Sequence, residues 1–151
     1  MKNLFETNVR DELKARVVRL GPECERIWGS MTPAQVMAHC SRSLEWAVGE
    51  TIPPRIGLLP RIMGRLIKPM VFKDDKPIRR NSPTTPDLLV HNEPDLEAER
   101  THLCSLIDRF VVAGPEGCTS NPHSFFGPLK PTEWAILMYK HIDHHLRQFG
   151  V

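Results

Sequence analysis

Apolar residues recur at helical spacing on both sides of a proline-rich middle stretch, and no run alternates with the period of two that marks a half-buried strand. Val9, Leu13, Val17 and Leu20 share one face, which predicts a first helix from about Asn8 to Leu20, stopped by Gly21-Pro22. Thr32-Pro33-Ala34-Gln35 offers an N-cap hydroxyl, a proline at the first helical position and a glutamine that can reach back. A second helix therefore starts there and ends near Gly49. Pro94-Asp95 opens a third, with Leu96, Leu103, Ile107 and Phe110 on one side, closing at Gly114-Pro115. A last helix begins at Pro131, carries Glu133 in its first turn and runs toward Gly150. Its N-cap is Lys130, not a Ser, Thr or Asp. Eight of the fourteen prolines fall between Pro53 and Pro94, which predicts a long, structured connection. A short amphipathic piece near Pro60 to Lys68 is a candidate fifth helix. The expected fold is all-α, a four-helix bundle in one domain over residues 1–151 with a long Pro-rich basic connection after the second helix.

Composition narrows the function classes. With 40% hydrophobic and 25% charged residues the chain is an ordinary globular protein, and a net charge of +2 is too small for a surface that is basic all over. Cys24, Cys40, Cys104 and Cys118 form no CxxC pair, which excludes a zinc ribbon or a thioredoxin-type motif. The opening MKNLFETNVRDELK lacks the apolar core of a signal peptide, and no stretch approaches 18 apolar residues. A cytoplasmic location is expected.

Charge is concentrated in one place. Arg55, Arg61, Arg65, Lys68, Lys73, Lys76, Arg79 and Arg80 face only Asp74 and Asp75, so this segment carries +6. Interleaved with Ile56, Leu58, Leu59, Ile62, Met63, Leu66, Ile67, Met70, Val71 and Phe72, it has the makings of a basic amphipathic element for a membrane surface or an anionic partner. The favoured expectation is plainer: the apolar residues cap the bundle or form a contact in a homodimer, and the arginines face water. Nucleic acid is disfavoured, because Phe72 is the segment's only aromatic residue. A further role for these arginines is to hold the carboxylates of an anionic thiol or substrate.

Three of the seven histidines lie in His141-Ile142-Asp143-His144-His145. At about 100° per residue, His141 and His145 share a face with Trp134 and Met138, and Lys140, Asp143 and Arg147 fall on the other side, expected to face water. Two imidazoles turned inward need partners, and a histidine pair at i, i+4 presents two ring nitrogens to one metal ion. Gln148 lies one turn on, suited to support the pair. His39 is the best third ligand, at the edge of the Val36, Met37, Cys40, Leu44, Ala47 stripe beside Ser43 and Trp46. His123 is the reserve ligand, although a loop histidine beside Phe125 and Phe126 is its plainer reading. Cys40 reads as a small core residue, and His91 and His102 as surface.

The arrangement Met31-Thr32-Pro33-Ala34-Gln35-x-x-Ala38-His39, with His141, His144, His145 and Gln148 in the pattern HxxHHxxQ, resembles the DinB/YfiT superfamily of four-helix-bundle proteins. It looks closest to an uncharacterised subgroup ending in HHLRQFG. The resemblance implies a divalent metal, nickel or zinc, held by His39, His141 and His145. It also implies frequent dimers, and thiol-dependent transferases or metal-dependent hydrolases acting on a small-molecule substrate. The long basic connection and Lys130 depart from the family's pattern.

Three protein ligands leave a coordination position open, which is the mark of a catalytic site. Hydrolysis through an acidified water normally needs a general base, and the metalloprotease helix has one in the Glu after its first histidine. Here that position is Ile142. A low-molecular-weight thiol held as thiolate needs no such base, so thiol transfer ranks above hydrolysis. His144 and Gln148 are the candidate supporting catalytic residues. A non-enzymatic protein that binds through residues 55–80 is the alternative of a different class.

Overall fold

In the computed structural model, which describes residues 1–151, five α-helices and two short 3-10 turns account for the regular structure. They are α1 (Thr7–Arg19), α2 (Pro33–Val48), α3 (Leu58–Val71), α4 (Leu96–Ala113) and α5 (Pro131–Arg147). There is no strand, only an isolated bridge between His123 and Gly127. The fold is a helical bundle in which α2 packs on α4 and α5, and α1 closes the other side against the same two helices.

The helix ends follow from local chemistry. Thr32 Oγ1 accepts from the Gln35 N–H at 3.2 Å and Gln35 Oε1 accepts from the Thr32 N–H at 3.1 Å, which satisfies two donors that the first turn of α2 leaves free. Gly49 ends α2 at φ +78°, a left-handed conformation that costs glycine little. Asp95 caps α4 by accepting from the Ala98 N–H at 2.7 Å. At the start of α5 the missing N-cap oxygen is partly compensated, because Glu133 reaches back to the Lys130 N–H at 2.7 Å.

The apolar stripes meet in one core. Leu13 and Val17 of α1, Met37 and Leu44 of α2, Leu103, Ile107 and Phe110 of α4, and Trp134, Met138 and Ile142 of α5 are all buried. Each such aliphatic side chain contributes about 1.5 to 3 kcal/mol on leaving water.

Two expectations about charge and exposure are corrected. Lys140 and Asp143 do not face water, being 3% and 4% exposed. The face of α5 opposite the histidines is covered by α1 and by the end of α3 with the residues just after it. Arg16 of α1 donates to Asp143 Oδ1 at 2.7 Å, and Lys140 Nζ donates to the carbonyls of Val71 and Asp74. Only Arg147, paired with the other Asp143 oxygen at 2.7 Å, keeps a side chain half in solvent.

The second correction concerns the connection. α3 is a full 14-residue helix, longer than the piece expected between Pro60 and Lys68, and it does not cap the bundle. Its inner side is Gly64 and Lys68, laid on the loop before α5, and Lys68 Nζ donates to the Pro128 carbonyl at 2.7 Å and pairs with Glu133 at 2.9 Å. The apolar side faces outward. No helix is long and apolar enough to cross a membrane.

Candidate metal centre

α2 and α5 bring His39, His141 and His145 together at one end of their shared face. One ligand nitrogen from each lies within 4.8 Å of the others, and the ring centroids form a near-equilateral triangle with sides of 4.8, 4.5 and 4.8 Å. His39 is fully buried and His145 nearly so, whereas His141 keeps partial contact with solvent.

The outward nitrogens are all engaged by oxygen. His39 Nδ1–H donates to the Leu88 carbonyl at 2.8 Å. His145 Nδ1–H donates to Gln148 Oε1 at 2.9 Å. His141 Nδ1 lies 2.9 Å from Ser43 Oγ, which has Met138 Sδ at 3.3 Å as an outlet for its own proton and so can accept from the ring. A carbonyl can only accept, so the His39 tautomer is fixed with its proton on Nδ1 and a lone pair on Nε2. The amide oxygen of Gln148 does the same for His145.

Three Nε2 atoms therefore point at one another, those of His39 and His145 with their lone pairs inward. His39 Nε2 and His145 Nε2 lie 2.8 and 3.2 Å from His141 Nε2. Lone pairs at that range repel unless a proton or a cation sits between them. Nitrogens bound at about 2.0 to 2.1 Å to one tetrahedral ion are about 3.3 Å apart, so these two separations are of the order that a zinc-like ion requires. Oxygen acceptors on the far nitrogens are the usual support of metal-bound imidazoles. The donor set fits a divalent transition metal.

Electrostatics agree with that use. Burial lowers the pKa of all three rings, His145 and His39 add to the effect at His141, and His145 is taken to about 3. Neutral imidazole is the form that binds metal. No carboxylate hydrogen-bonds to any of the three rings, because Asp143 is turned away to Arg16 and Arg147.

Of the other candidates, His144 stands at the rim. Its Nδ1 lies 3.2 Å from the Ile78 carbonyl, and its ring meets those of His145 and Trp28 edge-on at 5.1 and 6.0 Å. His123 is not part of the cluster: it packs against Trp46, Phe126 and Trp134, and its Nδ1 accepts from the Phe125 and Phe126 N–H groups. Cys40 is fully buried in the core and burial pushes its thiol pKa up, as a packing residue should show. His91 and His102 are exposed, the latter paired with Glu45.

Several supports escaped the sequence reading of the site. Ser43, four residues after His39 and so on its face, is a neighbour by helical spacing, and nothing local in the sequence marks it as the partner of His141. The Leu88 carbonyl carries no side-chain signal at all. Gly29 sits at φ +86° with the place of a Cβ only 2.6 Å from Gln148 Nε2, so a side chain here would displace the residue that orients His145. Arg80 stacks over Trp28 at 4.1 Å, which brings one arginine of the basic connection to the rim. A polar groove of about 220 Å³ on α2 and α4, lined by Arg42, Glu45 and His102, includes none of the three clustered histidines.

Residues 6–150 match the model of a protein family described as "Protein of unknown function (DUF1569)", a span that takes in all five helices. No curated protein and no solved structure matches the chain.

Proposed function

We propose that this chain, which belongs to the DUF1569 family, is a metal-dependent enzyme in which His39, His141 and His145 hold a divalent ion, nickel or zinc. Its chemistry is the transfer of a low-molecular-weight thiol to a small electrophile. The observation that carries the reading is the pairing of three oxygen-anchored Nδ1 atoms with three converging Nε2 atoms. The packing of α1, α2, α4 and α5 and the origin of the ligands in α2 and α5 support the finer fold reading, a four-helix bundle of the DinB/YfiT kind.

When bound, such an ion supplies Lewis acidity that favours the thiolate over the thiol. The protein residues then have distinct tasks. Ser43, Leu88 and Gln148 fix ring orientation. His144, with Nδ1–H directed to Ile78, keeps a lone pair on Nε2 and takes the thiol proton there, while the sulfur pair forms the bond to carbon and the leaving group departs with its own pair. Arg80 at the rim offers its guanidinium to an anionic group of the thiol or substrate. Hydrolysis is the second reading. It is ranked lower because His144 is a neutral imidazole, a base strong enough for a thiol of pKa about 8.5 but weak toward water, and no carboxylate stands at the cluster to help it.

Elemental analysis of protein purified without a His tag tests the site. Near-stoichiometric nickel or zinc is expected, lost in His39→Ala, His141→Ala and His145→Ala. Chelator-sensitive conjugation of a thiol to a chromogenic aryl halide supports transfer, whereas chelator-sensitive ester cleavage without thiol supports hydrolysis. Absence of metal after reconstitution removes the proposal.

A further inference from the structure

Leu58, Leu59, Ile62, Met63, Leu66 and Met70 all turn to one side of α3, and each is between 45% and 72% exposed. At about 100° per residue they span an arc of about 140°. A helix on a globular protein normally turns such a stripe inward. Here the inward side is fixed by other means. Gly64 lies so close to the Phe125 carbonyl that no Cβ fits between them, and Lys68 is tied to Pro128 and Glu133. The outward apolar face is thus held in place by the packing of the opposite side, and nothing in the chain covers it.

The charge beside that face selects what covers it. From Arg55 to Lys73 there is no acidic residue. Lys68 has Glu133, but Arg55, Arg61, Arg65 and Lys73 are exposed and none is paired with a carboxylate. We propose that α3 is a membrane-surface helix that docks the protein on a bilayer bearing anionic headgroups. The apolar arc enters the boundary between headgroups and acyl chains, and the unpaired basic side chains meet lipid phosphates and carboxylates. A second copy of the chain is the poorer occupant, because a two-fold contact through α3 brings two all-basic helices together with no countercharge. The helix lies on the bilayer and does not enter it: 14 residues at 1.5 Å each reach about 21 Å, short of a hydrocarbon core of about 30 Å. This docking rests on α3 alone and stands or falls independently of the metal.

Vesicle co-sedimentation of the full chain tests it, with phosphatidylcholine vesicles that contain or lack phosphatidylserine, at low and high salt. Binding is expected only with phosphatidylserine, weakening at high salt. Leu66→Glu and Met63→Glu should abolish it, and Arg61→Ala and Arg65→Ala should each weaken it about fivefold, all with unchanged circular dichroism. These side chains are exposed, so the variants keep the fold. No binding to phosphatidylserine vesicles, or equal binding to both kinds, overturns the proposal. So does a dimer by sedimentation equilibrium that Leu66→Glu dissolves while vesicles stay unbound.

Discussion

Gln148 Oε1 accepts the Nδ1 proton of His145 at 2.9 Å, three residues back along the same C-terminal turn. This bond sets which nitrogen of His145 faces the cluster, and the amide occupies the space that a Cβ at Gly29 would need. Loss of such a supporting partner typically costs 10- to 100-fold in metal affinity. Gln148→Leu is expected to weaken binding by about that factor in a chelator-competition titration, with the fold intact. Gln148→Glu keeps an acceptor and should retain most of the affinity. Gly29→Ala, which drives a methyl into the Gln148 amide, should resemble Gln148→Leu; wild-type affinity in both variants would show that His145 needs no orienting partner.

Because His39 Nε2 and His145 Nε2 converge on His141 Nε2 within hydrogen-bonding range, a cation bound among the three rings adds to the stability of the folded chain. A ligand at about 100 times its Kd stabilises the native state by about 2.7 kcal/mol, which for a chain of this size raises Tm by about 5 to 10 °C. Nickel or zinc should produce that shift in a thermal melt and a chelator should reverse it. His141→Ala, which removes the nitrogen common to both short contacts, should show no shift. Calcium and magnesium, which prefer oxygen ligands, should not substitute.

Much of this was legible along the chain, and the parts that were not share a cause. The limits of α2 and α4 could be placed because Thr32, Gln35, Asp95 and the closing glycines act within one turn of the residues that they cap. The face shared by His141 and His145 is likewise a local property of a helix. His39 is only an edge residue on a helical wheel, and the carbonyl that anchors its buried ring belongs to Leu88, 49 residues later. Lys140 and Asp143 were assigned to water because a wheel shows which residues oppose the histidines, not that α1 and Asp74 cover that side. For α3 the apolar period was visible, but its outward direction depends on how closely Gly64 approaches Phe125 and on the reach of Lys68 to Glu133. These are contacts between distant segments.

Acid should destabilise the protein through His123 over a defined range. Its ring is enclosed by Trp46, Phe126 and Trp134, and its Nδ1 lone pair is committed to two backbone N–H groups, so burial lowers its pKa to about 4. The unfolded chain, with an ordinary histidine pKa of about 6.5, takes up the proton first. This contribution to stability is therefore complete above about pH 6.5, falls as the pH drops, and is gone below about pH 4, a change of about 3 kcal/mol. Urea denaturation of chelator-treated protein between pH 7 and pH 4 should show the decline. In His123→Asn, whose side-chain oxygen can still accept one of the N–H bonds, the decline should be shallower by about that amount, whatever the variant's stability at pH 7.

Asp143 offers the opposite separation of stability from metal binding. Its carboxylate is buried between Arg16 and Arg147, each at 2.7 Å, and Arg16 is itself buried, with the Val151 carbonyl at 2.9 Å as its second partner. Removing one member of a buried ion pair leaves the other charge without compensation and typically costs 3 to 5 kcal/mol. Asp143→Asn should therefore lower the free energy of unfolding by about that much, with some recovery in Arg16→Met/Asp143→Leu, where neither charge remains. Asp143 lies two residues from each α5 ligand and on the opposite face, so the folded variant should still bind one metal ion per chain. If Asp143→Asn instead lost its metal while keeping its stability, the carboxylate would belong to the metal centre and the account of α5 as a helix with two separate buried faces would fail.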